Sequence, residues 1–100
     1  MLILPIKKKW FDMILSGQKK EEYREIKPYW TKRLLKYYHR YITKQTIFNI
    51  KFRNGYGNDK PTITCKVALR KGKGKQEWGA EQGKEYYILE ILEILEVQNL

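Results

Sequence analysis

The apolar residues of this chain follow a helical period in its N-terminal part and a period of two in its C-terminal half. Leu2-Ile3-Leu4 predicts a short strand that Pro5 closes. Residues 7–16 predict a helix, because four large apolar side chains share one face. They are Trp10, Phe11, Ile14 and Leu15. Gly17 then occupies the position at which glycine commonly ends a helix.

The stretch from residue 17 to residue 24, GQKKEEYR, carries five charged side chains in eight positions. We predict that it runs as a strand to Ile26, since the residue before Pro28 is unfavourable for a helix. An apolar core cannot accept this strand, because unpaired buried charges are very costly. Two interpretations follow: an edge strand protected by its charges, or the wall of a polar cleft in which Glu22 and Arg24 share one face.

A second helix is predicted to begin near Pro28, because proline is favoured in the first turn of a helix. Its large side chains recur at helical spacing and are mainly aromatic. They are Trp30, Leu34, Tyr37 (or Tyr38) and Tyr41. Such a stripe is more typical of core packing than of a surface that stacks on bases.

Alternation of apolar and polar residues predicts three further strands from Thr46 onward. The first ends at the glycine-rich turn after residue 53, and the second spans residues 62–70. Residues 71–83 are rich in glycine and charge, which predicts a loop. Residues 85–97 predict a last strand with a bulge, although glutamates at every third position also allow a helix.

The predicted order β-α-β-α-β-β-β is that of an α+β protein with a strongly curved sheet or a small barrel. One hundred residues suffice for one domain, 1–100, with a modest core. Cys65 lies on the inward face of its predicted strand, so we interpret it as a core residue rather than a nucleophile.

The net charge of +10 is unevenly distributed. Residues 1–60 hold fifteen basic and five acidic side chains, whereas residues 61–100 hold six of each. A basic face attracts polyanions such as nucleic acid. A lysine-rich surface that serves solubility alone gives the same balance, so charge does not decide between the two.

The sequence gives no sign of a metal site, a cofactor or a membrane span. Cys65 and His39 are the only cysteine and histidine, too few for a zinc site or an internal disulfide. Residues 71–83 lack the spacing of a phosphate-binding loop. No apolar run approaches the roughly 20 residues that cross a bilayer, and the first residues lack the charge order of a signal peptide. A reducing cytoplasm is therefore the predicted location.

Four residues of the charged stretch, Gly17, Lys19, Glu22 and Arg24, match the pattern G-x-K-x-x-E-x-R. With the strand and helix before it and the later segments FRNGYG and EWGAE-x-GK-x-YY, this motif resembles the ASCH (activating signal cointegrator homology) domain family. The similarity is to the compact members found in bacteria and their phages, and it covers nearly the whole chain. It implies a small PUA-like barrel with mixed, mainly antiparallel strands and two main helices, and a role in binding RNA or a nucleotide.

The resemblance also implies which residues bind the ligand in a cleft beside the motif: Lys7, Gly17, Lys19, Glu22 and Arg24. The three cations would contact phosphate, Arg24 through paired N–H groups. Glu22 would orient these cations or accept a hydrogen bond from a base amino group. The sequence does not indicate an oligomeric state.

Four further candidates come from the residues themselves. Tyr56, at a predicted hairpin tip, and Trp78, in the glycine-rich loop, could stack on an unpaired base or simply anchor their loops. Arg53, with Lys51, is a weaker candidate for contacting phosphate, because both lie on a strand face that is expected to be exposed.

Some proteins of the family that the chain resembles are enzymes, so a small hydrolase acting on RNA or on a modified nucleoside is the alternative. One bacterial branch hydrolyses the amide of acetylcytidine with a threonine nucleophile at the position that Glu22 occupies here. That hydroxyl is absent here. The nearest hydroxyls in sequence are those of Ser16 and Thr31, and the sequence places neither beside Lys19. Binding is therefore the preferred interpretation. In an enzyme, Lys19 and Glu22 would act as catalytic acid and base.

Overall fold

The computed structural model describes residues 1–36 and 46–100, and it confirms the predicted order of strands and helices. The helices are α1 (Lys8–Leu15) and α2 (Pro28–Leu35). The strands are β1 (Leu2–Ile6), β2 (Glu21–Glu25), β3 (Thr46–Asn54), β4 (Thr62–Lys73) and β5 (Glu85–Gln98). A short 3-10 helix, Gln76–Trp78, lies between β4 and β5.

The five strands form one mixed sheet in the order β1-β3-β4-β5-β2. Only β1 and β3 are parallel, and the other three pairs are antiparallel. The sheet is curled into a half-barrel, and the described residues show no pairing between the outer strands β1 and β2. The predicted α+β class, with mainly antiparallel strands and two helices, is thus confirmed.

Two element boundaries differ from the prediction. β4 extends to Lys73 because its last residues pair with the start of β5, so the predicted loop of residues 71–83 is shorter. β2 begins only at Glu21, because Gly17 and its neighbours still belong to the end of α1. The aromatic residues Tyr37, Tyr38 and Tyr41, together with His39, lie outside the described residues.

The glutamates at every third position of β5 are explained by two bulges. Glu90, Glu93 and Glu96 pair with Ala68, Lys66 and Thr64 of β4. The register shifts twice against β4, and each shift leaves one extra β5 residue, Leu92 or Leu95, without a partner in β4. Each bulge converts three residues of β5 into two positions of the ladder. A repeat of three therefore keeps every glutamate on the same face of the strand.

The main core lies between the concave side of the sheet and both helices. Phe11 and Ile14 of α1 and Leu34 of α2 pack against the inward residues of β3 and β4. Cys65 is fully buried among them, and burial raises the pKa of its thiol to about 12. A core role for this cysteine is consistent with both observations, because a buried neutral thiol is a poor nucleophile.

A second, smaller cluster covers the other side of β2 and the start of β5. It consists of Tyr23, Ala80, Tyr86 and Ile88, with Trp78 packed against it. Tyr23 and Tyr86 lie with ring centroids 5.5 Å apart. This cluster attaches the loop that contains the 3-10 helix to β2, and so determines where that loop lies.

Gly74 is required at the entrance to this loop for steric reasons. A Cβ at this position would lie 2.6 Å from the Tyr23 ring and 2.7 Å from the Ala80 side chain. We expect Gly74→Ala to lower the free energy of unfolding by about 1–3 kcal/mol, as overpacking does elsewhere. Urea denaturation would measure the change. Gly72→Ala is the control, since its Cβ would meet only the flexible end of Ile88 at 3.2 Å; equal effects would contradict the steric explanation.

Candidate functional site

A cleft of about 310 Å³ opens between the end of β1, the start of both helices, β2 and the 3-10 helix. Its lining includes Trp10, Trp30 and Trp78, which are all the tryptophans of the chain. We call it the tryptophan cleft. The other lining residues are Pro5, Ile6, Lys7, Glu22, Tyr23, Arg24, Glu25, Gly79 and Tyr86. It therefore combines aromatic rings, cations and carboxylates on one concave surface.

The end of α1 directs the chain under this cleft. Gly17 adopts a φ of +84°, which glycine accepts without a steric cost. The backbone N–H of Lys19 then donates to the carbonyl of Met13 at 2.9 Å, which closes the helix end. Gly17 is itself exposed and outside the cleft lining. Its contribution is to reverse the chain so that Lys19 points inward.

The Lys19 side chain is buried directly behind the cleft wall. Its ammonium donates to the backbone carbonyls of Glu21 and of Trp78, the latter at 3.0 Å, and lies 3.3 Å from Glu22 Oε1. It also lies 5.0 Å from the ring centroids of Trp10 and Tyr23. Burial lowers the pKa of Lys19, and Glu22 opposes that shift. The ammonium thus joins β2 to the loop that carries Trp78.

Glu22 is a buried carboxylate at the cleft with one oxygen satisfied and one not. Oε1 accepts the backbone N–H of Tyr23 at 3.1 Å and lies within ion-pair distance of Lys19 and Arg24, 3.3 and 3.6 Å respectively. Oε2 is buried and has no hydrogen-bond partner in the described part of the chain. A buried carboxylate oxygen without a donor is costly, so a donor that reaches it would be held strongly.

Arg24 lies beside Glu22 and against an aromatic ring. Its guanidinium carbon is 5.2 Å from the ring centroid of Trp30, within the range of cation–π attraction. Nη1 donates to the carbonyl of Tyr23 at 2.7 Å, and Nη2 lies 3.4 Å from the carbonyl of Pro5. The side chain is 15% exposed. With five N–H donors in total, the guanidinium retains hydrogen-bonding capacity toward the cleft.

The loop after β4 forms part of the cleft wall through Trp78 and Gly79. Trp78 is half-buried there, and Gly79 has a φ of +98°. A Cβ on Gly79 would lie 3.0 Å from the ring of Trp10, so the backbone and that ring are in close contact. The Tyr23 hydroxyl donates to Glu21 at 2.7 Å and accepts the backbone N–H of Lys75 at 2.9 Å. Trp78 and Gly79, which belong to the predicted loop of residues 71–83, therefore form part of the cleft.

Three exposed lysines, Lys7, Lys9 and Lys75, form what we call the rim of the cleft. The ammonium of Lys9 lies 4.7 Å from the ring centroid of Trp10, and that of Lys75 lies 4.6 Å from Trp78. Lys7 is exposed on the lining and has no ion-pair partner within residues 1–36 and 46–100.

The carboxylate of Glu25, which also lines the cleft, is paired with Lys84 at 3.1 Å and with Lys27 at 3.2 Å. These two cations lower the pKa of its carboxyl.

The structure brings some of the predicted site residues together and separates others. Lys7, Glu22, Arg24 and Trp78 line the tryptophan cleft, whereas Lys19 is buried and Gly17 is exposed, both outside the lining. Arg53 and Tyr56 lie outside the cleft lining. Arg53 Nε donates to the carbonyl of Gly55 at 3.2 Å, and Tyr56 is 82% exposed. Their hairpin contacts the end of β1 through Gly55 N–H and Ile6 O, 2.9 Å apart.

Trp10 and Trp30 are among the cleft residues that the sequence interpretation missed. Both were assigned to the core because they fall on the apolar faces of their helices. They do pack against the core, but each is only partly buried and presents surface to the cleft. Their position at the first turn of each helix was the available signal, since a large aromatic there can lie over the edge of the core.

The hydroxyls near the motif do not lie in the cleft lining. Ser16 donates to the carbonyl of Met13 at 3.2 Å, and Thr31 is hydrogen-bonded to Tyr87. The lining hydroxyls belong to Tyr23 and Tyr86. Burial raises the pKa of Tyr23, and Tyr86 accepts the backbone N–H of Glu81 at 2.9 Å. The cleft thus presents acceptors, cations and rings rather than an aliphatic hydroxyl.

Comparison with family models, with curated proteins and with solved structures finds no match to this chain. Across residues 1–36 and 46–100, no group of three or more metal-binding side chains comes together. The same residues include no helix of the length and hydropathy needed to cross a membrane. The assignment of function therefore depends on the chemistry of the cleft itself.

Proposed function

We propose that this chain is an ASCH-like domain with a PUA-like architecture that binds single-stranded RNA or a nucleotide in the tryptophan cleft, in a reducing cytoplasm. The observation that carries the proposal is a combination of three features: three tryptophans, a buried carboxylate oxygen that has no partner in the described part of the chain, and exposed lysines near the rings. Unpaired bases stack on aromatic rings, their edges hydrogen-bond to polar groups and their phosphates pair with cations.

The charge arrangement supports a nucleotide over a cationic ligand. Aromatic cages that bind cations keep their rings free for the ligand. Here each tryptophan already has a cation of the protein near its ring: Lys9 and Lys19 at Trp10, Arg24 at Trp30 and Lys75 at Trp78. A further cation would be repelled, whereas a neutral base with an attached phosphate is accommodated by the same groups.

Binding is favoured over hydrolysis by the state of Lys19. Its ammonium has three donors, and they are directed at Glu21, Glu22 and Trp78. A general acid needs an N–H that is directed at the substrate, and those of Lys19 are directed at protein acceptors. We therefore assign Lys19 to holding the wall of the cleft and the rim lysines to phosphate.

Tryptophan fluorescence is a direct assay, because every tryptophan of the chain lies in the cleft. We expect a short single-stranded RNA to quench the emission, with log K falling linearly with log salt. Trp78→Ala should weaken binding by about 1–3 kcal/mol, the contribution of one stacked base.

Tyr56→Ala is the matched control, since it removes an exposed aromatic residue from a loop outside the cleft lining. Its affinity, measured by fluorescence anisotropy of labelled RNA, should stay near that of the unmodified protein. A larger loss in Tyr56→Ala than in Trp78→Ala would move the binding site to the hairpin and contradict the proposal.

A further inference from the structure

The unpartnered oxygen of Glu22 sets a requirement on the base that enters the cleft. Oε1 already faces three donors, which are the Lys19 ammonium, the Tyr23 N–H and the Arg24 guanidinium. Oε2 has none among the described residues. Because a buried acceptor without a partner is penalised, occupancy of the cleft is rewarded when the ligand brings an N–H group to this oxygen.

Arg24 supplies a donor next to this acceptor. Its Nη1 lies 3.6 Å from Glu22 Oε1, so the guanidinium and the carboxylate are neighbours on the same wall. The base edge that complements a neighbouring acceptor and donor has an amino group beside a ring nitrogen that accepts. Adenine and cytosine present that pair of groups, whereas hypoxanthine and uracil present a carbonyl oxygen and an N–H in the reverse order.

Resting on the proposed function, we infer that the tryptophan cleft selects a nucleotide whose base has an exocyclic amino group beside a ring acceptor nitrogen. Glu22 Oε2 accepts from the amino group, Arg24 donates to the ring nitrogen, and the tryptophan rings contact the faces of the base. The lysines of the rim hold the phosphate, which gives the nucleotide one orientation in the cleft.

The orientation of Glu22 gives this inference a sharp test. In Glu22→Gln, the three donors around the Oε1 position would hold the amide oxygen there. The amide nitrogen would then occupy the position of Oε2, and the acceptor that faces the ligand would become a donor. The preference for the amino group should therefore be lost, without a reversal, because Arg24 still directs a donor at the ring position where a carbonyl base carries an N–H.

The experiment compares two pairs of mononucleotides that differ by an amino or a carbonyl group. These are adenosine with inosine 5′-monophosphate and cytidine with uridine 5′-monophosphate, titrated by tryptophan fluorescence. For the unmodified protein we expect the amino member of at least one pair to bind about tenfold or more tightly than its partner. For Glu22→Gln we expect the two members of that pair to bind with similar affinity.

Purine riboside 5′-monophosphate lacks the amino group but keeps the ring nitrogen, and it tests the inference without any variant. It should bind the unmodified protein about tenfold more weakly than adenosine 5′-monophosphate if adenine is the selected base. Nucleotides that bind with equal affinity, or a preference that Glu22→Gln leaves unchanged, would overturn the inference and leave the proposed function intact. Failure of all nucleotides and of single-stranded RNA to bind would overturn the proposed function instead.

Discussion

Lys19→Met should lower the free energy of unfolding by about 3–5 kcal/mol, the usual result of removing one partner from a buried ion pair. Lys19 is 1% exposed and Glu22 is 5% exposed, so water cannot replace the lost ammonium. The carbonyls of Glu21 and Trp78 would lose their donor at the same time. Urea denaturation followed by circular dichroism would measure the change.

Lys20→Met is the matched control, because the neighbouring lysine is exposed. Its effect should stay within about 0.5 kcal/mol, as for other surface substitutions. The double variant Lys19→Met/Glu22→Met should be more stable than Lys19→Met alone, since it also removes the unpaired carboxylate. Equal stability of Lys19→Met and Lys20→Met would show that the buried lysine does not hold the cleft wall.

Arg24→Gln should reduce the affinity for short single-stranded RNA about tenfold to a hundredfold, with the fold retained. A hydrogen bond from a charged group typically contributes about 1.5–3 kcal/mol, and Arg24 supplies such donors to the cleft beside Glu22. The substitution also removes the cation from the ring of Trp30. Fluorescence anisotropy with labelled RNA would give the affinity, and thermal melting would confirm folding.

Arg33→Gln makes the same substitution on a second basic surface. Lys32, Arg33 and Lys36 line a separate depression on α2, and the guanidinium of Arg33 lies 3.5 Å from the ring centroid of Tyr29. If the tryptophan cleft is the site, Arg33→Gln should bind RNA nearly as well as the unmodified protein. A large loss in Arg33→Gln with little change in Arg24→Gln would place RNA on α2.

The strands and helices could be predicted from the sequence because the spacing of their apolar residues depends only on residues close together in the chain. The alternation of Phe48, Ile50 and Phe52 and the helical spacing of Phe11 and Ile14 each reflect one buried face. The bulged strand β5 was also predicted, but the sequence did not explain why its glutamates recur at every third position. That reason needs the register against β4, which is a long-range property.

The charged strand β2 shows where prediction from sequence stops. Its composition ruled out a dry core and left two interpretations, a protected edge or the wall of a cleft. Both are present in the structure: β2 is an outer strand of the sheet, and its residues Glu22–Glu25 line the tryptophan cleft. Alternation could not show that Lys19 and Glu22 are buried together, because their pairing depends on the loop that supplies the carbonyl of Trp78.

The most direct measurement of the central claim is a proton–nitrogen correlation spectrum of the protein during titration with a short single-stranded RNA. The three indole N–H signals report on the cleft alone, because Trp10, Trp30 and Trp78 all line it. We predict that these signals shift with saturable dependence on RNA, together with the backbone signals of Glu22 and Arg24. Unmoved indole signals with shifts confined to Lys32, Arg33 and Lys36 would contradict the account.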